Sequence, residues 1–167
     1  MDQSGKKMKV LIAYYSRTGN NEKLTNELQA KLECDVEKIV DTVGRKGVWG
    51  WLRGGYQASR RKMSRIEPIK KDPGEYGLVI IVYPLWAGRM PPPTRTYISE
   101  NKNKFKKVAL MSVSGRGKGN GGAIPDFEAA VGKEPSAILM LSQLELRRGR
   151  YEEKLQEFSK SISNLES

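Results

Sequence analysis

The chain has 167 residues, with 30 Lys and Arg against 19 Asp and Glu, one cysteine and no histidine. The lack of histidine excludes Ser-His-Asp and Cys-His catalysis and imidazole metal sites, and one cysteine cannot build a zinc cluster, an iron–sulfur cluster or an internal disulfide. Any redox chemistry would therefore need a bound cofactor.

The first half of the chain predicts two strands around a helix. The apolar run Met8–Tyr14 is short and rich in β-branched residues, which is typical of a buried strand. Residues Asn21–Leu32 place leucines at helical spacing, and Cys34–Val40 alternates in a way that suits a strand near a sheet edge.

The second half continues the alternation of strands and helices. The predicted strands are Gly77–Tyr83, which reads as a central strand, Val108–Val113 and Ser136–Leu141. The predicted helices are Pro93–Glu100, Ala123–Val131 and Tyr151–Leu165, and a glycine-rich loop joins Val113 to Ala123.

Five strands that alternate with helices predict a parallel sheet with right-handed crossovers and helices on both faces, a three-layer α/β fold. Such sheets bind ligands beyond the carboxyl ends of their strands, near the point where strand order reverses. The loops after the first, third and fourth strands are therefore the places to look for a site.

The length predicts one domain, residues 8–167, preceded by a disordered tail at residues 1–7. The longest uncharged run has 13 residues, from 76 to 88, which is too short for a membrane-spanning helix. No apolar signal segment opens the chain, so we expect a cytoplasmic protein in which Cys34 stays reduced.

The loop after the first strand is the strongest candidate for a phosphate site. Hydroxyl and amide side chains, a glycine and the free N–H groups of a helix start converge there. A simpler alternative is that Thr18 or Asn20 only caps the helix. The loop matches neither a Walker A motif nor a GxGxxG motif. Its candidate binding residues are Ser16, Arg17, Thr18, Gly19, Asn20 and Asn21.

Two motifs resemble the flavodoxin family. The first is YSRTGNN at residues 15–21, where Asn21 replaces the usual threonine, and the second is IIVYPLWAGRMPPP at residues 80–93. The resemblance implies a five-stranded sheet of order 2-1-3-4-5 and FMN at its edge. It also implies that the isoalloxazine ring lies against Trp86, which offers an aromatic surface in a loop. The alternative is that Trp86 only covers the end of the sheet. The loop residues concerned are Pro84, Leu85, Trp86, Ala87 and Gly88.

The loop after the fourth strand offers Ser114, Gly115 and Gly117, where backbone could approach a flat ligand closely, although a flexible surface loop has the same composition. No aromatic residue lies between Gly115 and Gly122 to cover the outer flavin face. The flavin is therefore open there or covered by another segment.

A candidate cover is the segment 44–65, which resembles an aromatic and basic insert of short flavodoxin-like proteins. Helical spacing relates its apolar residues Val48, Leu52, Tyr56 and Met63. Positions 41 to 65 contain seven Lys and Arg but only one acidic residue. We expect chiefly a helix packed on the sheet with a solvated charged face, which could also meet an acidic partner or an anionic membrane.

Three functions remain open from the sequence. The leading hypothesis is an FMN-binding electron-transfer protein whose redox partners carry an acidic surface. The second is a small FMN-dependent NAD(P)H:quinone-type reductase, with Trp49, Trp51 and Tyr56 as the wall for a quinone-like substrate. The third is a basic binding module for an anionic partner, without a legible nucleic-acid motif. No residue stands out as a proton donor, which favours electron carriage.

Overall fold

The computed structural model describes residues 7–44, 47–115 and 121–165. The predicted N-terminal tail lies outside these residues, apart from Lys7, which is exposed and outside regular structure. All five predicted strands are present in one parallel sheet of order β2-β1-β3-β4-β5. The strands are β1 Val10–Tyr14, β2 Asp35–Lys38, β3 Leu78–Pro84, β4 Lys107–Ser114 and β5 Ile138–Ser142. The predicted strand order is confirmed.

The helices lie on both faces of the sheet. They are α1 Asn20–Leu32, α2 Gly47–Ser59, α3 Pro92–Asn101, α4 Ala123–Val131, α5 Gln143–Arg147 and α6 Glu152–Asn164. Short 3-10 turns occupy Pro73–Glu75 and Lys102–Lys104.

An apolar core lies between the sheet and the helices on each of its two faces. One core joins α1 and α6 to the sheet through residues such as Leu28 and Phe158, and the other joins α3 and α4 through residues such as Tyr97 and Phe127. The strands alternate between these cores, with Ile12 in the first and Leu11 in the second. Burial on both faces explains why β1, β3 and β4 are apolar almost throughout.

The prediction that β2 is an edge strand is confirmed, but its burial is unusual. Glu37 is only 4% exposed, although it belongs to an edge strand. Its carboxylate accepts the backbone N–H groups of Lys70 at 3.1 Å and Lys71 at 2.9 Å. A buried carboxyl group needs such donors. These two bonds fix the segment that leads into β3 against the edge of the sheet.

Candidate functional site

A cavity of about 610 Å³ opens at the carboxyl ends of the strands. Its wall combines the loops after β1, β3 and β4 with one side of α2 and the start of α5. The lining residues are Arg17, Thr18, Asn20, Asn21, Trp51, Leu52, Gly55, Tyr56, Pro84, Leu85, Trp86, Ala87, Val113, Gly115 and Gln143. This is the position where open α/β sheets bind their ligands.

At one end of the cavity, the loop after β1 runs into the N-terminus of α1. Gly19 is the N-cap residue, with a φ of 91°, and no side chain caps the helix in the described structure. The hydroxyl of Ser16 accepts the N–H of Gly19 at 3.1 Å, and the first helical bond runs from the N–H of Lys23 to the carbonyl of Gly19 at 2.9 Å. The alternative that Thr18 or Asn20 caps the helix is therefore wrong, and the first-turn N–H groups are left available to an anion.

Arg17 supplies a cation at this helix start, while the acidic residue of the first turn, Glu22, is paired with other side chains and does not line the cavity. Arg17 lines the cavity, and its guanidinium donates to the carbonyl of Gly47 at 3.2 Å. Glu22 in the first turn is held by the hydroxyl of Tyr14 at 2.9 Å and by Lys38 at 3.1 Å, and these bonds lower its pKa. Among the lining residues of the described structure none is acidic.

Asn21 is the most buried member of the predicted phosphate loop, with 2% exposure. Its amide nitrogen donates to the carbonyl of Tyr15 at 3.4 Å, whereas its side-chain oxygen has no hydrogen-bond partner within the described ranges. A buried acceptor without a donor is costly, so a ligand hydroxyl in the cavity would satisfy it.

Trp86 is presented by a two-residue hairpin turn. Trp86 and Arg89 exchange backbone hydrogen bonds of 2.9 Å in both directions, and the residues between them have positive φ, 49° at Ala87 and 71° at Gly88. This pairing with two left-handed residues is the tight turn that connects hairpin strands. The indole also lies edge-to-face with the ring of Tyr15, with the ring centres 5.6 Å apart.

Helix α2, which lies within the segment 44–65 proposed as a cover, forms part of the cavity wall together with Trp86. It contributes Trp51, Leu52, Gly55 and Tyr56 to the lining. Trp49, which was expected in the same wall, is 84% exposed and is not among the lining residues.

The expected packing of α2 is wrong. Val48, Leu52, Tyr56 and Met63 were expected to form the buried face, but each is at least 49% exposed. The helix instead turns small residues inward, since Ala58 is fully buried and Gly54 abuts Trp86. A Cβ at position 54 would come within 2.9 Å of the Trp86 ring, so the close approach requires glycine there.

A buried carboxylate that the sequence did not predict ties three elements around the site. Asp126 of α4 accepts the backbone N–H of Met90 at 3.2 Å and a guanidinium N–H of Arg95 at 2.7 Å. Arg61, just after α2, lies 3.3 Å from its other oxygen. Asp126 thus joins the Trp86 loop, α3 and the end of α2, and a buried carboxylate of this kind needs such partners.

The structure brings together most of the predicted site residues. Nine line the cavity, namely Arg17, Thr18, Asn20, Asn21, Pro84, Leu85, Trp86, Ala87 and Gly115. Ser16, Gly19, Gly88 and Ser114 belong to the same loops without lining it, and Gly117 lies outside the described residues.

Two lining residues, Val113 and Gln143, belong neither to the predicted site residues nor to the segment 44–65. Gln143 opens α5, which the sequence analysis also missed. The signal was present as Ser142-x-x-Glu145, because the Ser142 hydroxyl and the Glu145 carboxylate cap each other's backbone N–H groups.

No model of a protein family matches the sequence, and no curated protein is significantly similar to it. Solved structures are similar to it in three dimensions. A flavoprotein from Lactobacillus acidophilus NCFM in complex with FMN has a TM-score of 0.70 and 20% identity, over 84% of this chain and 97% of that one.

Two further structures extend the comparison. A putative flavoprotein from Bacteroides eggerthii DSM 20697 has a TM-score of 0.68 and 22% identity, over 86% of this chain and 96% of that one. The two-electron reduced flavodoxin of Megasphaera elsdenii has a TM-score of 0.58 and 17% identity, over 93% and 98%. The fold of this chain is therefore the flavodoxin-like fold.

The described residues hold neither a membrane-spanning helix nor a cluster of metal-ligating side chains. None of their helices is both long and apolar enough to cross a membrane. No group of three or more His, Cys, Asp or Glu side chains among them could hold a metal ion.

Proposed function

We propose that this protein binds FMN non-covalently and carries electrons between redox partners. The observation that carries the proposal is the single cavity wall that joins an uncapped helix start to an aromatic loop at the carboxyl edge of the sheet. An anionic phosphate suits the first of these and a flat aromatic ring suits the second.

The residues present fit FMN in three respects. Thr18 and the N–H groups at the start of α1 would hold the phosphate, with Arg17 as the nearby cation, and Ser16 would support the loop through its bond with Gly19. The side-chain oxygen of Asn21, which lacks a partner among the described residues, would accept a hydrogen bond from a hydroxyl of the ribityl chain. Trp86 and the α2 wall would flank the ring system.

When bound, FMN supplies the electron-transfer chemistry, and the protein supplies binding, orientation and exclusion of water. The loop after β4 has no aromatic side chain with which to cover the flavin. Trp51 and Tyr56, in the wall formed by α2, would provide this cover.

The partner part of the proposal follows from charge. The formal net charge of +11 favours redox partners with an acidic surface, since complementary charge speeds the encounter. The exposed cations Arg53, Arg60 and Lys62 adjoin the wall of the cavity and would meet such a surface.

A second candidate is an FMN-dependent NAD(P)H:quinone-type reductase. The observation that favours it is the aromatic wall of Trp51 and Tyr56, against which a flat acceptor could lie. Steady-state oxidation of NAD(P)H in the presence of a quinone would favour the reductase over the carrier, and its absence would favour the carrier.

The test of FMN binding uses the phosphate as a handle. We expect Thr18→Ala to weaken FMN binding about tenfold and to leave riboflavin binding nearly unchanged, because only FMN carries the phosphate and a charge-assisted hydrogen bond is worth about 1.5–3 kcal/mol. Fluorescence titration of both flavins measures the two affinities.

Ser99→Ala is the matched control, because Ser99 is an exposed hydroxyl residue of α3 away from the cavity. Equal losses for FMN and riboflavin would restrict Thr18 to shaping the loop. Unchanged FMN fluorescence at saturating wild-type protein would refute the cofactor proposal.

A further inference from the structure

Helix α2 presents an apolar face to solvent, which we call the outer face. It consists of Val48, Trp49, Leu52 and Tyr56, which are 72%, 84%, 49% and 56% exposed. Val48, Leu52 and Tyr56 follow one another at four-residue spacing and therefore share one side of the helix. Gly54 and Ala58, which face the protein, lie about 200° away from Leu52 and Tyr56 at 100° per residue.

Cations flank the outer face. Arg60 and Lys62 approach the ring of Tyr56, with the guanidinium carbon 5.7 Å and the ammonium nitrogen 5.8 Å from the ring centre. Arg53, on α2 itself, is also exposed. Arg61 differs from them, because it lies against the buried carboxylate of Asp126. The face is thus a patch of Trp, Tyr and aliphatic side chains bordered by positive charge.

The combination of apolar and cationic groups decides which occupant fits. A second copy of this chain would bring two cationic patches together, at a net charge of +11 for each chain. A soluble acidic protein docked at Arg60 and Lys62 would match the cations alone, because charged side chains placed against Val48 and Trp49 would lose water. An anionic bilayer offers headgroup charge for the cations and an acyl boundary for the apolar face at once.

We propose that α2 is an interfacial helix, and that its outer face docks this protein on the surface of an anionic membrane. Trp and Tyr are the side chains that favour the headgroup level of a bilayer. Because Leu52 and Tyr56 also line the cavity, docking brings the mouth of the cavity to the membrane surface. This proposal rests on the proposed function in one respect: it places the proposed electron transfer at a negatively charged membrane surface.

The test is flotation of the full-length protein with lipid vesicles at low salt, with and without added FMN. We expect binding to vesicles of mixed phosphatidylglycerol and phosphatidylcholine to be at least about tenfold tighter than to pure phosphatidylcholine. The double variant V48S/W49S should weaken binding about tenfold or more, and R60Q/K62Q should do the same. None of these four side chains lines the cavity. Circular dichroism checks that the variants are folded.

Two control variants make equivalent changes elsewhere. Leu144→Ser removes an apolar side chain that is 52% exposed on α5, and K102Q/K160Q removes two exposed lysines distant in sequence from α2. Both should bind vesicles like the wild type. The indole emission should shift to the blue on vesicle binding in the wild type, and this shift should be smaller in Trp49→Phe.

Several results would overturn the proposal. They are the absence of binding to anionic vesicles, vesicle binding that V48S/W49S leaves unchanged, and a wild-type dimer that V48S/W49S dissociates. Binding of a soluble acidic protein that requires Val48 and Trp49, without vesicle binding, would overturn it as well. Vesicle binding by protein that fails to bind FMN would refute the proposed function alone, because the outer face needs no flavin.

Discussion

At the scale of single residues, the close approach of Gly54 to Trp86 links α2 to the aromatic loop of the site. A Cβ at Gly54 would meet the Trp86 ring at 2.9 Å, whereas a Cβ at the adjacent Gly55 would meet nothing within 4 Å. Both glycines are helical, so each carries the same unfavourable backbone entropy. They differ only in what a methyl group would contact.

We expect Gly55→Ala to raise the free energy of unfolding by about 0.5–1 kcal/mol, because alanine favours the helix over glycine. Gly54→Ala should forfeit this gain and lower stability by about 1 kcal/mol or more, since the methyl group overpacks against Trp86. Urea unfolding measures both, and tryptophan emission should change only in Gly54→Ala. Equal stabilisation by the two substitutions would contradict the contact.

At the scale of elements, the short helix α5 depends on its cap. Five residues form too short a helix to be stable alone, and this one begins with the reciprocal bonds of Ser142 and Glu145. Bonds from Lys154 first, and then from Ser142, lower the pKa of Glu145 from 4.5 to about 2. The cap thereby positions Gln143, the first residue of the helix, in the wall of the cavity.

A lowered pKa makes this contribution to stability depend on pH. The carboxylate of Glu145 contributes fully above its ordinary pKa of 4.5, and its contribution is lost as the pH falls toward the folded value of about 2. We therefore expect Glu145→Gln to destabilise the protein by about 1 kcal/mol at neutral pH and by progressively less below pH 4.5.

Thermal unfolding from neutral pH to the lowest pH at which the protein stays folded measures this difference. Glu153→Gln, an exposed substitution in the first turn of α6, is the control and should show a smaller effect at neutral pH. A difference between Glu145→Gln and wild type that stays constant across this pH range would contradict the lowered pKa of Glu145.

At the scale of the whole molecule, charge is the feature that distinguishes partners. The excess of Lys and Arg is concentrated near α2, where seven of them fall between positions 41 and 65. One of these, Arg61, lies against Asp126 and serves the structure. Arg60 and Lys62 are therefore the cleaner pair for testing electrostatic steering.

We expect reduction of the FMN-loaded protein by a small acidic electron-donor protein to slow as ionic strength rises, because salt screens charges beyond about 10 Å at 0.1 M. R60Q/K62Q should lower the rate at low salt and flatten its salt dependence, with FMN affinity unchanged. Stopped-flow absorbance measures the rate, and K102Q/K160Q carries the same change of charge as a control. If R60Q/K62Q and the control have the same rates and salt slopes, steering through this face is excluded.

The sequence by itself determined the succession of the five strands and of every helix except α5, and it predicted the loop between β1 and α1 as a phosphate site. Ala123–Val131 was predicted with the bounds that the structure has, and the other predicted strands and helices differ by a few residues at their ends. These features follow from contacts between near neighbours, such as the periodicity of apolar residues and the residues that begin a helix. The strand order came from the resemblance of two loops to a family and not from periodicity.

Only the tertiary structure decided which face of α2 turns inward and which groups meet around the cavity. The apolar spacing of Val48, Leu52 and Tyr56 predicted the buried face, but Gly54 packs against Trp86 and Ala58 is fully buried. Asp126 likewise finds Met90, Arg95 and Arg61 across 31 to 65 residues of sequence. Close packing and buried charge pairing depend on groups that are distant in the chain, and periodicity within one segment carries no information about them.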